Sequence, residues 1–135
     1  FATPPSAPLS ASAAEWERFD ETAIARYVAS GKTVFVDVTA DWCLTCQVNK
    51  KLVLDTAPVA DWLDETNVIR MRADWTRPNP AISAYLARFG RYGIPFNAVY
   101  GPKAPQGIAL PELLTDRIVM GAADKAGAAP TLARK

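Results

Sequence analysis

Apolar residues recur every three or four positions at the start of the charged part of the chain, at Trp16, Phe19, Ala23, Ile24, Tyr27 and Val28. That spacing predicts a helix over residues 15–30, with a break near Asp20 and a stop at Gly31. The pattern then changes. Residues 33–39 form an apolar run broken by one carboxylate, which reads as a strand buried on both faces. A helix is predicted over residues 43–54, with Leu44, Val48 and Leu52 on one side, and a short extra helix over residues 58–65. Residues 67–73 fit a strand. Asn79-Pro80 reads as the N-cap and first turn of the next helix, whose stripe is Ile82, Tyr85, Leu86 and Phe89 and whose end is Gly90. Residues 96–100 read as a strand and residues 101–107 as a turn with two prolines. Residues 108–113 pair back as a hairpin, with Pro111 keeping that strand at an edge. Thr115 caps a last helix to about residue 126. The order α-β-α-β-α-β-β-α predicts an α/β fold, a central mixed sheet of about four strands with helices on both faces.

The ends of the chain differ from this pattern. Residues 1–14 are rich in Ala, Pro and Ser and carry no charge, the composition of a flexible linker. An arm packed on the domain is the alternative. Residues 15–127 are expected to form the domain and residues 128–135 a C-terminal tail. A length of 135 residues suits one domain with a real core. No apolar stretch approaches the ~20 residues that span a bilayer. No charged n-region with an apolar core opens the chain, so it reads as a mature fragment or as a domain of something larger.

Charge and composition narrow the function. A formal net charge of +1 gives no basic excess for nucleic acid and no acidic tail for a charged partner. The chain has no histidine, which removes Cys–His nucleophilic pairs, His-ligated zinc sites and His acid–base work.

The chemistry concentrates in Asp41-Trp42-Cys43-Leu44-Thr45-Cys46, which holds both cysteines of the chain. A Cys-x-x-Cys at the end of a buried strand, opening a helix, is the arrangement of thiol–disulfide exchange. The helix N-terminus favours the thiolate of Cys43, the candidate nucleophile, expected to be partly exposed. Cys46, one turn on and more buried, is the candidate resolving thiol. A structural disulfide is a weak alternative, because so short a loop constrains the unfolded chain little. Two-coordinate Cu(I) is another, since soft thiolates suit it.

Asp37 lies six residues before Cys43, amid Val34, Phe35, Val36 and Val38. Burial raises the pKa of such a carboxyl, and a proton acceptor below Cys46 serves that thiol when it attacks. The alternative is an edge position or an ion pair with Arg70 or Arg72. Ile94-Pro95 sits between a helix and an apolar strand, where a cis bond turns the chain tightly. Trp42 shields the pair or contacts a partner, with simple packing as the other reading. Asp41 is expected to be solvated, with an influence on Cys43. Trp62 and Trp75 are expected to pack, and Tyr92-Gly93 to line the rim of the site.

The run Val36-Asp37-Val38-Thr39-Ala40-Asp41-Trp42-Cys43-Leu44-Thr45-Cys46 resembles the active site of the thioredoxin fold, and Gly93-Ile94-Pro95 resembles its cis-proline loop. The resemblance spans roughly residues 20–126. Within that fold, Ala40 to Cys46 followed by Lys50-Lys51 is most similar to the C-terminal domain of the DsbD-type transmembrane thiol–disulfide reductases. Residues 92–100 and 110–115 resemble the ScsB branch, linked to copper tolerance.

That resemblance implies a monomeric periplasmic domain of an inner-membrane protein. Such a domain takes electrons from the dithiol of the membrane domain and passes them to the N-terminal periplasmic domain of the same protein, which reduces other periplasmic proteins. The membrane domain is fed by cytosolic thioredoxin. It implies Cys43 as attacking cysteine, Cys46 as resolving cysteine, Asp37 as the buried tuning acid and Pro95 as the cis-proline beside the disulfide. No cofactor is implied beyond the redox-active pair. Lys50 is a departure, since it stands where DsbD carries a glutamate that keeps the nucleophile's pKa high; a cation there favours the thiolate instead. A free-standing thioredoxin-like reductase, an oxidase or isomerase, and a Cu(I)-binding module are the rival readings.

Overall fold

Five strands and five helices cover residues 16–127, the part of the chain that the computed structural model describes. The expected linker over residues 1–14 and tail over residues 128–135 lie outside the described residues. The strands are β1 (Glu17–Arg18), β2 (Thr33–Thr39), β3 (Val68–Asp74), β4 (Phe96–Gly101) and β5 (Ala104–Ala109). The helices are α1 (Glu21–Ala29), α2 (Leu44–Asn49), α3 (Val59–Leu63), α4 (Pro80–Arg88) and α5 (Asp116–Lys125). The sheet runs β1-β3-β2-β4-β5, with β1 and β2 parallel to β3, and β4 antiparallel to both β2 and β5. The sheet is mixed, as the pattern predicts, with β1 as a fifth, two-residue strand.

Alternation along the central strand divides the core. Val34, Val36 and Val38 face the layer of α1 and α4, with Met71, Ile82, Tyr85, Leu86, Phe96 and Ala98. Phe35 faces the layer of α3 and α5, with Trp62, Leu63, Val99, Val119 and Ala122. The ring of Phe35 meets Trp16 and Trp62 edge-on at 6.2 and 6.1 Å. Truncating so buried an aromatic costs about 3–5 kcal/mol.

The first helix begins later than its apolar spacing suggests. Asp20 is extended, and its carboxylate accepts hydrogen bonds from the N–H groups of Thr22 and Ala23, so it caps α1. The residues before it pair with Met71 and Arg72 of β3. Trp16 and Phe19 therefore join opposite layers of the core, although their spacing of three mimics one helical face.

The side of α2 and its continuation through residues 50–54 that carries Leu44, Val48 and Leu52 faces solvent, with Leu44 81% and Leu52 71% exposed. The core side is Cys46, Asn49, Val53 and Leu54. A five-residue π-helical segment, Lys50–Leu54, widens the helix after Asn49, and Asp55 N–H donates to the Lys50 carbonyl.

The strand after β4 begins earlier than expected. The turn is confined to Pro102-Lys103, and Pro105 lies inside β5, an edge strand where a missing N–H is tolerated. Pro111 falls beyond the strand. Asn79 and Thr115 cap α4 and α5 as their sequences predict.

Candidate active site

Cys43 is the N-cap of α2 in an extended conformation, and its Sγ accepts the Cys46 N–H at 3.1 Å. Cys43 and Cys46 form a disulfide with Cα atoms 5.3 Å apart. The expected difference in exposure is absent, since both are 6% exposed. Ala40 and the two cysteines form one buried cluster, against which Ile94 packs. The N–H aimed at Cys43 Sγ favours negative charge on that sulfur when the bond is open. Ile94–Pro95 is cis, and Ile94 packs against the cysteine cluster.

The segment before Cys43 is held from the loop after β3. Thr76 Oγ accepts the Asp41 N–H at 2.9 Å, and the Thr76 carbonyl accepts the Trp42 indole N–H at 3.2 Å. Thr76 is itself fixed by Asp74, whose Oδ1 accepts from both its N–H and its hydroxyl. Those hydrogen bonds hold the Asp74 carboxyl below the usual carboxylate range. Trp42 is exposed despite its anchored nitrogen, as is Tyr92 in the loop before Ile94. Asp41 is exposed, as expected. Trp62 is buried in the core and Trp75 half-buried against the α1–α4 layer, so both pack.

Asp37 is buried and paired at once, which joins two readings posed as alternatives. In the strand register it lies between Arg72 of β3 and Asn97 of β4. Arg72 Nε donates to its Oδ2 at 3.1 Å, and Asn97 Nδ2 donates to its Oδ1 at 2.9 Å. Arg70 pairs with Asp64 instead. Burial pushes the Asp37 carboxyl above its ordinary range, while the Arg72 charge, the two hydrogen bonds and Lys50 pull the other way.

A cavity of about 210 Å³ links these groups. Asp37, Cys46, Lys50 and Arg72 line it, with Asp41 and Asp74; Cys43 does not. Lys50 also pairs with Asp55 at 2.8 Å.

The sequence reading did not single out Thr76, Asn97 or Asn49. Asn49, buried in α2, donates to the Glu112 carbonyl at 2.7 Å and accepts the Leu114 N–H at 3.1 Å. It ties the cysteine helix to the segment before α5. Asn97 left a signal of the same kind as Asp37, a polar residue inside an apolar strand. Thr76, in a loop, left none.

A family model described as thioredoxin-like matches residues 15–102. The chain is 31% identical over 138 residues to the thiol:disulfide interchange protein DsbD 1 of Pseudomonas aeruginosa, an alignment covering 98% of this chain and 21% of that protein. It is 32% identical over 88 residues to DsbD of Ralstonia nicotianae, covering 63% of this chain and 14% of that one. The chain thus spans about a fifth or less of the length of these relatives. Among solved structures, the oxidised C-terminal domain of Neisseria meningitidis DsbD matches with a TM-score of 0.61 at 21% identity, covering 78% of this chain and 91% of that chain. Chloroplastic thioredoxin z matches with a TM-score of 0.60 at 21% identity, covering 85% of this chain and 96% of that chain. These two likenesses carry the fold alone. No helix among the described residues is long and apolar enough to cross a membrane. The family match covers well over half of the chain, and the chain therefore belongs to the thioredoxin-like family, with homologues among the DsbD thiol:disulfide interchange proteins.

Proposed function

We propose that this domain is a thiol–disulfide oxidoreductase that passes electrons through Cys43 and Cys46. One observation carries the division of roles. Cys46 shares a cavity with the buried Asp37 carboxyl, whereas Cys43 accepts the N–H at the helix start. The first arrangement suits loss of a proton, the second suits a standing thiolate.

In the reduced domain, Cys43 thiolate attacks one sulfur of a partner disulfide. A Cys43–partner bond forms, and the other partner sulfur leaves as thiolate. Cys46 gives its proton to Asp37 and attacks Cys43 Sγ. The Cys43–Cys46 bond forms, the second partner sulfur leaves, and two electrons have moved to the partner. An upstream dithiol reverses these steps and resets the pair. Trp42, exposed next to Cys43, and Ile94, packed against the pair, form the surface that meets the partner; Pro95, expected to share it, is buried.

The DsbD relatives support a wider setting. The domain works in the periplasm as part of an inner-membrane protein. It receives electrons from a membrane-embedded dithiol and hands them to the N-terminal periplasmic domain of the same protein. The likeness of residues 92–100 and 110–115 to the ScsB branch ties this relay to copper tolerance. In this reading residues 1–14 are the linker from the last membrane helix.

Trapping tests the roles. Cys46→Ala accumulates a mixed disulfide with the partner, and Cys43→Ala does not. Equal trapping by the two variants overturns the assignment. A reduction potential of roughly −270 to −200 mV fits a reductant, whereas a value of about −120 mV reverses the direction of transfer.

A further inference from the structure

Asn97 is 1% exposed on the central strand pair of the sheet, a costly place for a carboxamide unless its polar atoms are used. Its Nδ2 lies 2.9 Å from Asp37 Oδ1 and 3.4 Å from the Val36 carbonyl. The register makes Arg72, Asp37 and Asn97 one rung across β3, β2 and β4, and Asp37 and Arg72 line the cavity that Cys46 also borders. Each carboxylate oxygen of Asp37 receives one donor, Oδ2 from Arg72 and Oδ1 from Asn97. Arg72 is partly solvated, whereas Asn97 is sealed, so its hydrogen bond works in the lower dielectric.

We infer that Asn97 is a positioning residue of the exchange reaction, which holds the Asp37 carboxylate in its anionic form and so sets the pH at which Cys46 can surrender its proton. The inference rests on the exchange role proposed above. The charged and titratable groups around Asp37 are Arg72 from β3, Lys50 from the widened turn after α2, and Asp41, Asp74 and Cys46 along the cavity. Asn97 differs from Arg72 and Lys50 because it is neutral and sealed from water, so its pull on Asp37 is not screened by salt, and it differs from the carboxyls and Cys46 because its amide does not titrate. Burial opposes the anion, and a fixed donor on Oδ1 offsets part of that penalty. Without the donor, Asp37 stays protonated to higher pH and cannot accept a proton from Cys46. That proton transfer precedes formation of the Cys43–Cys46 bond and departure of the partner sulfur, so the resolving step moves to higher pH with it.

The experiment compares the unaltered protein with Asn97→Leu, which keeps the volume and removes the donor. Asn97→Ala serves if the leucine variant does not fold. Carboxyl-carbon NMR follows the Asp37 midpoint in the oxidised protein. Single-turnover reaction of the reduced protein with oxidised glutathione follows release of the second glutathione against pH. Loss of one hydrogen bond to a charge raises the proton affinity about tenfold, so both midpoints are expected to rise by about one pH unit. In an Asp37→Asn background, Asn97→Leu is expected to leave the release profile where it is. An NMR midpoint that does not move overturns the inference alone. A release profile that Asn97→Leu still shifts in the Asp37→Asn background shows Asn97 acting through another group and overturns it as well. If the NMR midpoint moves but Asp37→Asn leaves second release unchanged, the role given to Asp37 fails and the inference fails with it.

Discussion

Arg72 and Asp37 are direct partners on the parallel strands β3 and β2, and Arg72 Nε donates to Asp37 Oδ2 at 3.1 Å. Even so, burial wins, and the Asp37 carboxyl sits above its ordinary value of 3.8. The folded chain therefore holds this proton more tightly than the unfolded chain does. The stability that follows is fully present below 3.8 and is lost as pH rises through the folded value. A carboxamide in place of this carboxyl has no proton to lose, and its carbonyl still accepts from Arg72; its amide then faces Asn97, whose carboxamide turns to present its own oxygen. Asp37→Asn is expected to be more stable than the unaltered protein near pH 7, with the gap closing toward pH 4. Urea unfolding of both oxidised proteins from about pH 4 to about pH 8 reads the gap. Parallel curves show that Asp37 is not a strained anion in the folded state.

Thr76 joins the loop after β3 to the residues before Cys43, through its hydroxyl to Asp41 N–H and its carbonyl to the Trp42 indole. Thr76→Val removes the hydroxyl and keeps the shape. Two hydrogen bonds disappear, the one to Asp41 and the one given to Asp74. The expected loss of stability is about 1–2 kcal/mol, and the Asp74 carboxyl returns toward its usual range. The Trp42 indole, released from a fixed loop, shifts its fluorescence emission in the oxidised protein. Unchanged emission and unchanged unfolding show that the backbone of the loop alone holds Trp42.

The legible parts of this molecule are those whose signal is local. One carboxylate in an apolar run marks Asp37, and two cysteines at the end of that run mark the site. The caps at Asn79 and Thr115 are written in adjacent residues. What was not legible depends on partners far along the chain. The pairing of Asp37 with Arg72 and Asn97 comes from strand register, which brings together residues 35 and 60 positions apart. The short pairing of Glu17 and Arg18 with β3 overrode a helical spacing that continued through Asp20. The stripe of Leu44, Val48 and Leu52 has the period of a core face, yet it is the outer face. Cys46 and Asn49 occupy the inner one, and the widened turn brings Val53 and Leu54 into line behind them. Of the two prolines read as a turn, Pro102 does turn the chain, whereas Pro105 lies in β5, tolerated there because that strand is an edge.

Gly107 offers a test of packing independent of the cysteines. It has φ of +92°, a conformation that L side chains rarely adopt. A Cβ there lies 2.7 Å from Tyr100 Cε2 and 2.8 Å from its Cζ. The Tyr100 ring has little freedom to yield, because its hydroxyl is 2.6 Å from the buried Tyr85 hydroxyl. Gly107→Ala thus adds backbone strain of about 1–2 kcal/mol to an overpacking cost of about 1–3 kcal/mol. The expected sum is about 2–5 kcal/mol of lost stability, read by urea unfolding of the oxidised protein. Tyr100 belongs to the α1–α4 layer, whereas Cys46 and Asp37 line a cavity that Tyr100 does not border. The reduction potential of Cys43–Cys46 is therefore expected to stay within a few millivolts of its unaltered value, since about 30 mV already corresponds to about 1.4 kcal/mol between the two redox forms. A stability change under ~0.5 kcal/mol, the scatter of an ordinary surface substitution, means that the Tyr85–Tyr100 pair moves aside freely. A displaced potential means that the hairpin of β4 and β5 transmits its strain through Asn97 to the cysteine site.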